Sequence, residues 1–509
     1  MTDRRAFIQS LSLGALATGA CNQKGPRFDA DPFSLGVASG DPTDTGVVLW
    51  TRLAPHSPAG GAPLAGEIRV GWEIASDESM RRIVRRGSAR ATAALAHSVH
   101  VEADGLEPER WYWYRFHAGD AVSPVGRTRT LAARSAPPGT LRFAFVSCQH
   151  YEHGYYTALN HLANEELDLV FHLGDYIYED PAGQSAPYAV RRHVGREPTS
   201  LADYRARYAL YKSDPALQRA HARHPWVVTW DDHEVDNNYA GGHSEQHDLL
   251  DAFLRRRAAA YQAYYEHQPV RRAAKPRGPD ARLYRTIEAG SLARFHVLDG
   301  RQYRTDQPCG DRRKPPCPGT HDSAATMLGA EQERWLGREL ADRDHRWAVL
   351  AQQVFMGKVD TEPGPDERYN MDSWNGYQAA RQRLLDAIAA RGRGDVIVLT
   401  GDVHSNWVAD LRHRVDRAES PVVATELVGT SLTSGGDGVD AFPGSDAVLA
   451  ENPDLRYHDA HRGYVRCTLD PERCEVDLRR VTYVSRPGAP LETSRSFVIE
   501  RGRPGAQDG

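Results

Sequence analysis

Two short strings constrain this chain more than any other feature: GDYIYED at Gly174–Asp180 and GDVHSNW at Gly401–Trp407. Each follows an apolar run, LDLVFHL before the first and DVIVLT before the second, then switches at once to Gly-Asp. A short apolar run that stops at a turn residue is the pattern of a buried strand. Three more runs end in a similar way: LRFAFVS leads into Cys148, HPWVVTW into Asp231, Asp232 and His233, and RWAVLA into Gln352 and Gln353. Open α/β sheets hold their ligands just beyond the carboxyl ends of their strands. Strand ends carrying thiol, carboxylate, imidazole and amide groups therefore predict one crowded polar crevice, and its natural occupant is metal.

From Leu141 onward strand-like and helix-like segments alternate, as in an α/β layer fold. Helical period marks Tyr204, Tyr208 and Tyr211, and the segments Leu250–Glu266, Glu331–Leu340 and Tyr377–Ala390. Residues Phe33 to Arg134 instead read as all-β, with GVVLWTR, IRVGWEIA, SVHVEA and WYWYRFHAG as strands. A Leu-x-Pro followed by aromatic alternation matches the corner of an immunoglobulin or fibronectin-like sandwich. The expected division is a signal region at 1–30, a β-sandwich at 31–135, a catalytic domain at 140–490 and a C-terminal tail at 491–509 that frays from Arg501.

Arg4-Arg5, followed by a short apolar stretch and small residues, has the form of a twin-arginine export signal, too short to span a membrane. Cleavage after Ala20 would leave Cys21 as a candidate lipid anchor, giving a periplasmic, extracellular or membrane-anchored protein; Thr18 stands where lipoproteins usually carry Leu. An oxidising compartment suits two disulfides, Cys309–Cys317 and Cys467–Cys474, and leaves Cys148 unpaired. The net charge of −5 over 509 residues gives no general pull toward nucleic acid, and no basic groove with interleaved aromatics stands out.

Each cluster alone has an ordinary explanation. Asp175 suits a turn cap, Asp232 a helix start, and Cys148 a buried apolar thiol. Together they favour a multinuclear centre. Carboxylates prefer hard cations, whereas the Cys148 thiolate and Tyr178 phenolate prefer a transition metal. Clustered cations suit phosphoester cleavage: they neutralise phosphate, generate hydroxide and hold the leaving oxygen.

Read together with FSLGVASGDPTDTGVVLWTRL at Phe33–Leu53, WDDHEVDNN, LDGRQYRTDQPCGD, NMDSWNGY and ELVGTSLTSGG, these strings resemble the alkaline phosphatase D (PhoD-like) family of calcineurin-like metallophosphoesterases. The resemblance implies a four-layer α/β sandwich with mixed sheets behind a small all-β domain. It implies an exported enzyme that hydrolyses phosphomonoesters and phosphodiesters, small or polymeric, using Fe³⁺ and Ca²⁺ (two of the latter), with Mg²⁺, Mn²⁺ and Zn²⁺ less favoured. Hydroxide held by metal would attack phosphorus directly. Carried over by position, the ligands are Cys148, Asp175 (bridging), Tyr178, Asp232, Gln352, Asp402 and His404, with His233 as general acid. Arg301, Arg304 and Asn237 become candidate phosphate contacts. Two rivals remain: a serine-nucleophile phosphatase using Ser323 in His321-Asp322-Ser323-Ala324, and a surface binding protein with structural metals.

Overall fold

The computed structural model describes residues 27–56 and 64–509. The twin arginine and Cys21 lie outside the described residues. Among the described residues, no helix is long and apolar enough to cross a membrane.

Among the described residues, the expected all-β segment holds eight strands: β1 Val37–Gly40, β2 Gly46–Arg52, β3 Glu67–Ala75, β4 Ile83–Thr92, β5 Ser98–Asp104, β6 Trp111–Ala118, β7 Ala121–Val122 and β8 Gly126–Arg129. Strand β6 alternates half-buried and buried residues along its whole length, as its aromatic pattern requires. At its start the Tyr112 hydroxyl accepts a bond from the Glu107 N–H (2.9 Å), which fixes the corner expected at Leu-x-Pro. Strands β3, β4, β6, β7 and β8 form one sheet. The facing strands β1, β2 and β5 complete the sandwich around Val47, Leu49, Val70, Tyr114 and Phe116. They are not confined to it, because β1 also pairs in parallel with a strand of the α/β part.

That part contains β9 Leu141–Val146, β10 Leu169–His172, β11 Pro225–Val228, β12 Arg285–Ala289, β13 Ala293–Val297, β14 Arg313–Lys314, β15 Trp347–Ala351, β16 Tyr369–Asn370, β17 Val396–Thr400, β18 Asn406–Arg412, β19 Val422–Val428, β20 Gly438–Val439, β21 Leu455–Leu469, β22 Arg473–Val481, β23 Leu491–Glu500 and β24 Arg503–Asp508. Two mixed sheets result. In one, β9, β10, β11 and β1 run parallel and antiparallel strands flank them. In the other, β13, β15, β17 and β19 run parallel. Strand β21 joins the two, pairing with β18 through its first residues and with β9 through its last.

The apolar strands divide their residues by the two-residue period of a sheet. Phe143, Phe145, Phe171, Val349 and Ile397 fill the space between the sheets. Ala144, Val146 and Val170 face helices α1 Thr157–Leu162, α2 Leu201–Lys212, α3 Pro215–Arg223 and α4 Leu250–His267. Leu350 and Val398 face α5 Gly329–Ala341 and α6 Gln378–Arg391. Both faces are covered, so these strands read as continuous apolar runs rather than alternating ones. The helices fall where the sequence placed them, and the Tyr204, Tyr208 and Tyr211 stripe is core packing.

Two expectations are corrected. Residues 491–509 are not a frayed tail: β23 pairs with β22 along its length, β24 returns against it, and Phe497 and Ile499 enter the inter-sheet core. The alternating Phe497-x-Ile499 was the overlooked signal. Of the two expected disulfides, Cys309–Cys317 is present, whereas Cys467 and Cys474 are free buried thiols. They lie on neighbouring strands but out of register, since Cys467 opposes Val476 and Cys474 opposes Leu469.

Phe497→Ala should therefore lower unfolding stability by about 3–5 kcal/mol in a denaturant titration. An unchanged midpoint would mean that the last strands are peripheral.

Candidate metal centre

The strand ends converge where the two sheets meet, and their backbone is unusual. Cys148, Asp175, Asp402 and His404 follow β9, β10 and β17 with φ of 58°, 56°, 63° and 61°. L-residues seldom adopt this left-handed conformation, which costs on the order of 1 kcal/mol each and persists only where the surroundings impose it. Here loop-to-loop hydrogen bonds impose it. The Cys148 N–H donates to Gly174 O (3.1 Å), Gln149 N–H to Asp175 O (3.0 Å) and Gly401 N–H to Gln353 O (2.8 Å). Both Gly-Asp glycines are required by close approach. A Cβ on Gly174, where φ is 113°, would lie 2.4 Å from Asp231 Cβ, and one on Gly401 would lie 2.9 Å from Ser147 Cβ.

Three sets of ligand atoms are brought together: Cys148, Asp175 and His404; Asp175, Asp232 and His233; and Asp231, Asp232 and Asp402, with the atoms of each set within 4.8 Å of one another. Shared Asp175 and Asp232 make the sets continuous. The Tyr178 hydroxyl joins them, donating to Asp175 Oδ2 (2.8 Å) and lying 3.2 Å from His404 Nε2. Most of the ligand set expected from sequence is thus adjacent.

These residues suit cations better than they suit one another. Asp175 Oδ1, Asp231 Oδ2 and Asp232 Oδ1 are buried with no hydrogen-bond partner, a costly condition for a carboxylate. Burial, reinforced by neighbouring aspartates, pushes the Asp175 and Asp402 carboxyls well above the usual range. Burial and the nearby Asp175 likewise push up the Cys148 thiol. Bound positive charge reverses all of these shifts. The donor set, with hard oxygens beside thiol, phenol and imidazole, fits a mixed cluster.

A second ring of side chains positions the first, and sequence reasoning assigned it no role. Glu234 accepts the N–H groups of Tyr176 (2.6 Å), Asp231 (2.9 Å) and Asp175 (3.1 Å), clamping two loop tips together. Glu179 Oε2 holds His233 Nδ1 at 2.7 Å, and its Oε1 accepts the Asn237 N–H at 2.7 Å. The imidazole of His233 packs over Tyr178 with centroids 4.2 Å apart. Burial alone would lower its pKa, but Glu179, Asp232 and Asp175 outweigh burial and raise it well above the ordinary value. Glu179 and Glu234 stand inside the GDYIYED and WDDHEVDNN strings, so position beside the ligands was the available signal.

Several expected contacts are placed elsewhere. Arg301 has no solvent exposure: its Nε bonds Asp231 Oδ1 at 2.5 Å and its Nη1 bonds Asp372 Oδ1 at 2.8 Å. Arg304 is also buried, with Nη2 2.5 Å from Asp372 Oδ1. Both are internal counter-charges rather than phosphate contacts. Gln352 is not a ligand either. Its Nε2 donates to Val354 O and Thr400 Oγ1 (both 2.6 Å) and its Oε1 accepts from Trp374 Nε1 (3.0 Å). Asn237 stays half-buried beside His233. Ser323 is exposed, with its carbonyl accepting from Arg383 (3.1 Å).

The family model for "PhoD-like phosphatase" matches residues 143–478, and that for "PhoD-like phosphatase, N-terminal domain" matches residues 20–132. The chain belongs to the PhoD-like phosphatase family. It is 49% identical to alkaline phosphatase D of Bacillus subtilis (strain 168), across 99% of this chain and 88% of the relative. A solved structure of PhoD superposes with a TM-score of 0.93 at 50% identity, covering 95% of this chain and 93% of the other. The chain is a phosphoric ester hydrolase, and its substrates are phosphoesters.

Arg301→Met would leave Asp231 and Asp372 without their buried counter-charge. Urea unfolding should then show a loss of about 3–5 kcal/mol. Unchanged stability with a raised KM would restore Arg301 as a substrate contact.

Proposed function

We propose that this chain is an exported, metal-dependent alkaline phosphatase and phosphodiesterase on the four-layer metallophosphoesterase frame, with its catalytic domain following the N-terminal sandwich. The observation that carries this reading is the convergence of three buried carboxylate oxygens without hydrogen-bond partners, from Asp175, Asp231 and Asp232, in a cluster that includes His233. Cys148, Tyr178 and His404 would hold Fe³⁺, and Asp232 and Asp402 would hold Ca²⁺, with Asp175 shared between them. When bound, these cations neutralise phosphate charge and polarise water.

The protein's own groups then have separable tasks. His233, with Nδ1 tied to Glu179, has Nε2 left to protonate the departing alcohol. Glu179 fixes the ring's tautomer and orientation, the support that metal and acid–base sites generally need. Asn237, anchored through its N–H to the same carboxylate, contacts a phosphoryl oxygen. Glu234 keeps the Asp175 and Asp231 tips at fixed separation. Export through the twin-arginine route, with Cys21 as a candidate lipid anchor, completes the proposal and suits a cluster loaded before translocation.

His233→Ala should lower kcat by roughly 10²–10⁴-fold, while thermal midpoint and metal content stay at the wild-type values. Loss of folding or of metal together with activity would give His233 a structural role instead. Hydrolysis of p-nitrophenyl phosphate and bis-p-nitrophenyl phosphate should vanish with a calcium chelator and return with Ca²⁺. Full activity after prolonged chelation would remove calcium from the assignment.

A further inference from the structure

A cleft of about 530 Å³ opens beside the ligand cluster and shares Asp402 with it. Phe355, Trp407 and Phe442 line it, with Val403 beside Asp402, and Asn370, Ser373 and Asn375 add polar groups. The Trp407 indole donates Nε1–H to Ser405 Oγ (2.9 Å), so its polar edge is satisfied and its ring serves as an apolar wall. Phe355 meets it at 6.2 Å and 69°, and His458 packs on it at 4.2 Å. Phe442, 45% exposed, is held beside the same His458 ring at 5.8 Å. An exposed aromatic over a formed cavity that adjoins a reactive centre is characteristic of a ligand site. Arg313, set on the cleft wall by the loop that Cys309–Cys317 closes, adds positive charge suited to an anionic substrate.

The position relative to His233 decides which part of a substrate enters. His233, Glu179 and Asn237 are not among the cleft residues. A phosphodiester held at the cluster with its departing oxygen at His233 has a second ester arm that points away from that histidine. Asp402 and Val403 are the only residues of the GDVHS turn on the cleft wall, so the cleft opens from the cluster on their side, away from His233. We propose that the cleft binds the alcohol retained on phosphorus and selects diesters in which that alcohol is a flat aromatic group. The inference rests on the phosphodiesterase reading above. A monoester has no such arm and gains nothing from the cleft.

The test compares phenyl p-nitrophenyl phosphate with methyl p-nitrophenyl phosphate, using the metal-loaded full chain and its Phe442→Ala variant. Both release the same leaving group and differ only in the retained alcohol. Wild-type kcat/KM should favour the phenyl diester by about tenfold, which is about 1.4 kcal/mol. The variant should lose most of that preference through KM and keep its rate on the methyl diester. Equal wild-type values, or an equal loss on both diesters in the variant, overturns the inference. Calorimetric binding of phenylphosphonate and methylphosphonate makes the same comparison without turnover. An aryl preference in the wild type that Phe442→Ala abolishes supports the cleft, and if neither diester is hydrolysed it sinks the diesterase reading alone. Equal affinities in the wild type overturn the cleft whatever the turnover.

Discussion

The guanidinium of Arg301, wholly shielded from solvent, bridges Asp231, Asp232 and Asp372. Removing several carboxylates from water together is unfavourable unless charge of the opposite sign accompanies them. Arg301, with Arg304 on the far side of Asp372, supplies that charge for one half of the cluster. Burial acts to raise the Asp232 pKa, yet Arg301 and His233 hold it below the ordinary carboxylate range. Asp175 and Asp402 are in no ion pair with an arginine among the described residues, and theirs are pushed up. Asp231 is pushed up to about 7 by burial even though Arg301 bonds it, so the compensation is partial as well as uneven, and the side without an arginine carries the thiol, phenol and imidazole. Internal cations thus accompany one side of the cluster, and no arginine accompanies the other among the described residues.

The same unevenness accounts for the strained loops. Cys148, Asp175, Asp402 and His404 all sit in left-handed backbone within a few residues of the ends of short, largely buried strands. A relaxed turn would carry each side chain over its own sheet. The left-handed turn instead redirects it toward the seam between the sheets. Glycine would adopt that backbone more cheaply but offers no ligand atom. The preceding Gly174 and Gly401 give the steric room, and the strain falls on the residues that offer candidate ligand atoms.

Much of this was legible in the sequence because strand, turn and ligand are contiguous there. An apolar run ending in Gly-Asp states both the burial of the strand and the ligand at its tip, and Cys148, Asp175, Tyr178, Asp232, His233, Asp402 and His404 are found together for that reason. Arg301, Arg304 and Gln352 were misassigned because sequence gives a side chain's chemistry but not its partners. A guanidinium after a strand fits phosphate and aspartate equally, and only the position of Asp372 decides. Gln352 fails similarly, since Thr400 and Trp374 lie 48 and 22 positions away in the chain. The last two strands were missed because the pairing of β23 with β22 and of β24 with β23 is a tertiary contact, and the polar outer face of β23 resembles a tail.

The N-terminal sandwich looks separable in sequence and is not separable in structure. Strand β1 pairs in parallel with β11, Ser39 opposite Pro225 and Gly40 opposite Trp226. Strand β11 delivers Asp231, Asp232 and His233, and without β1 it would be an edge strand whose open backbone groups let its tip move. The fit at this junction is tight. A Cβ on Gly40 would lie 2.4 Å from Pro269 O, and the next residue, Asp41, bonds Arg285 at 2.6 Å. Trp50 of β2 donates to Glu266 O (3.0 Å), tying the sandwich to α4 as well. The all-β unit therefore makes the strand that leads into His233 an interior one. Its contribution to the site lies in holding β11 still, with no residue of its own in the ligand sets.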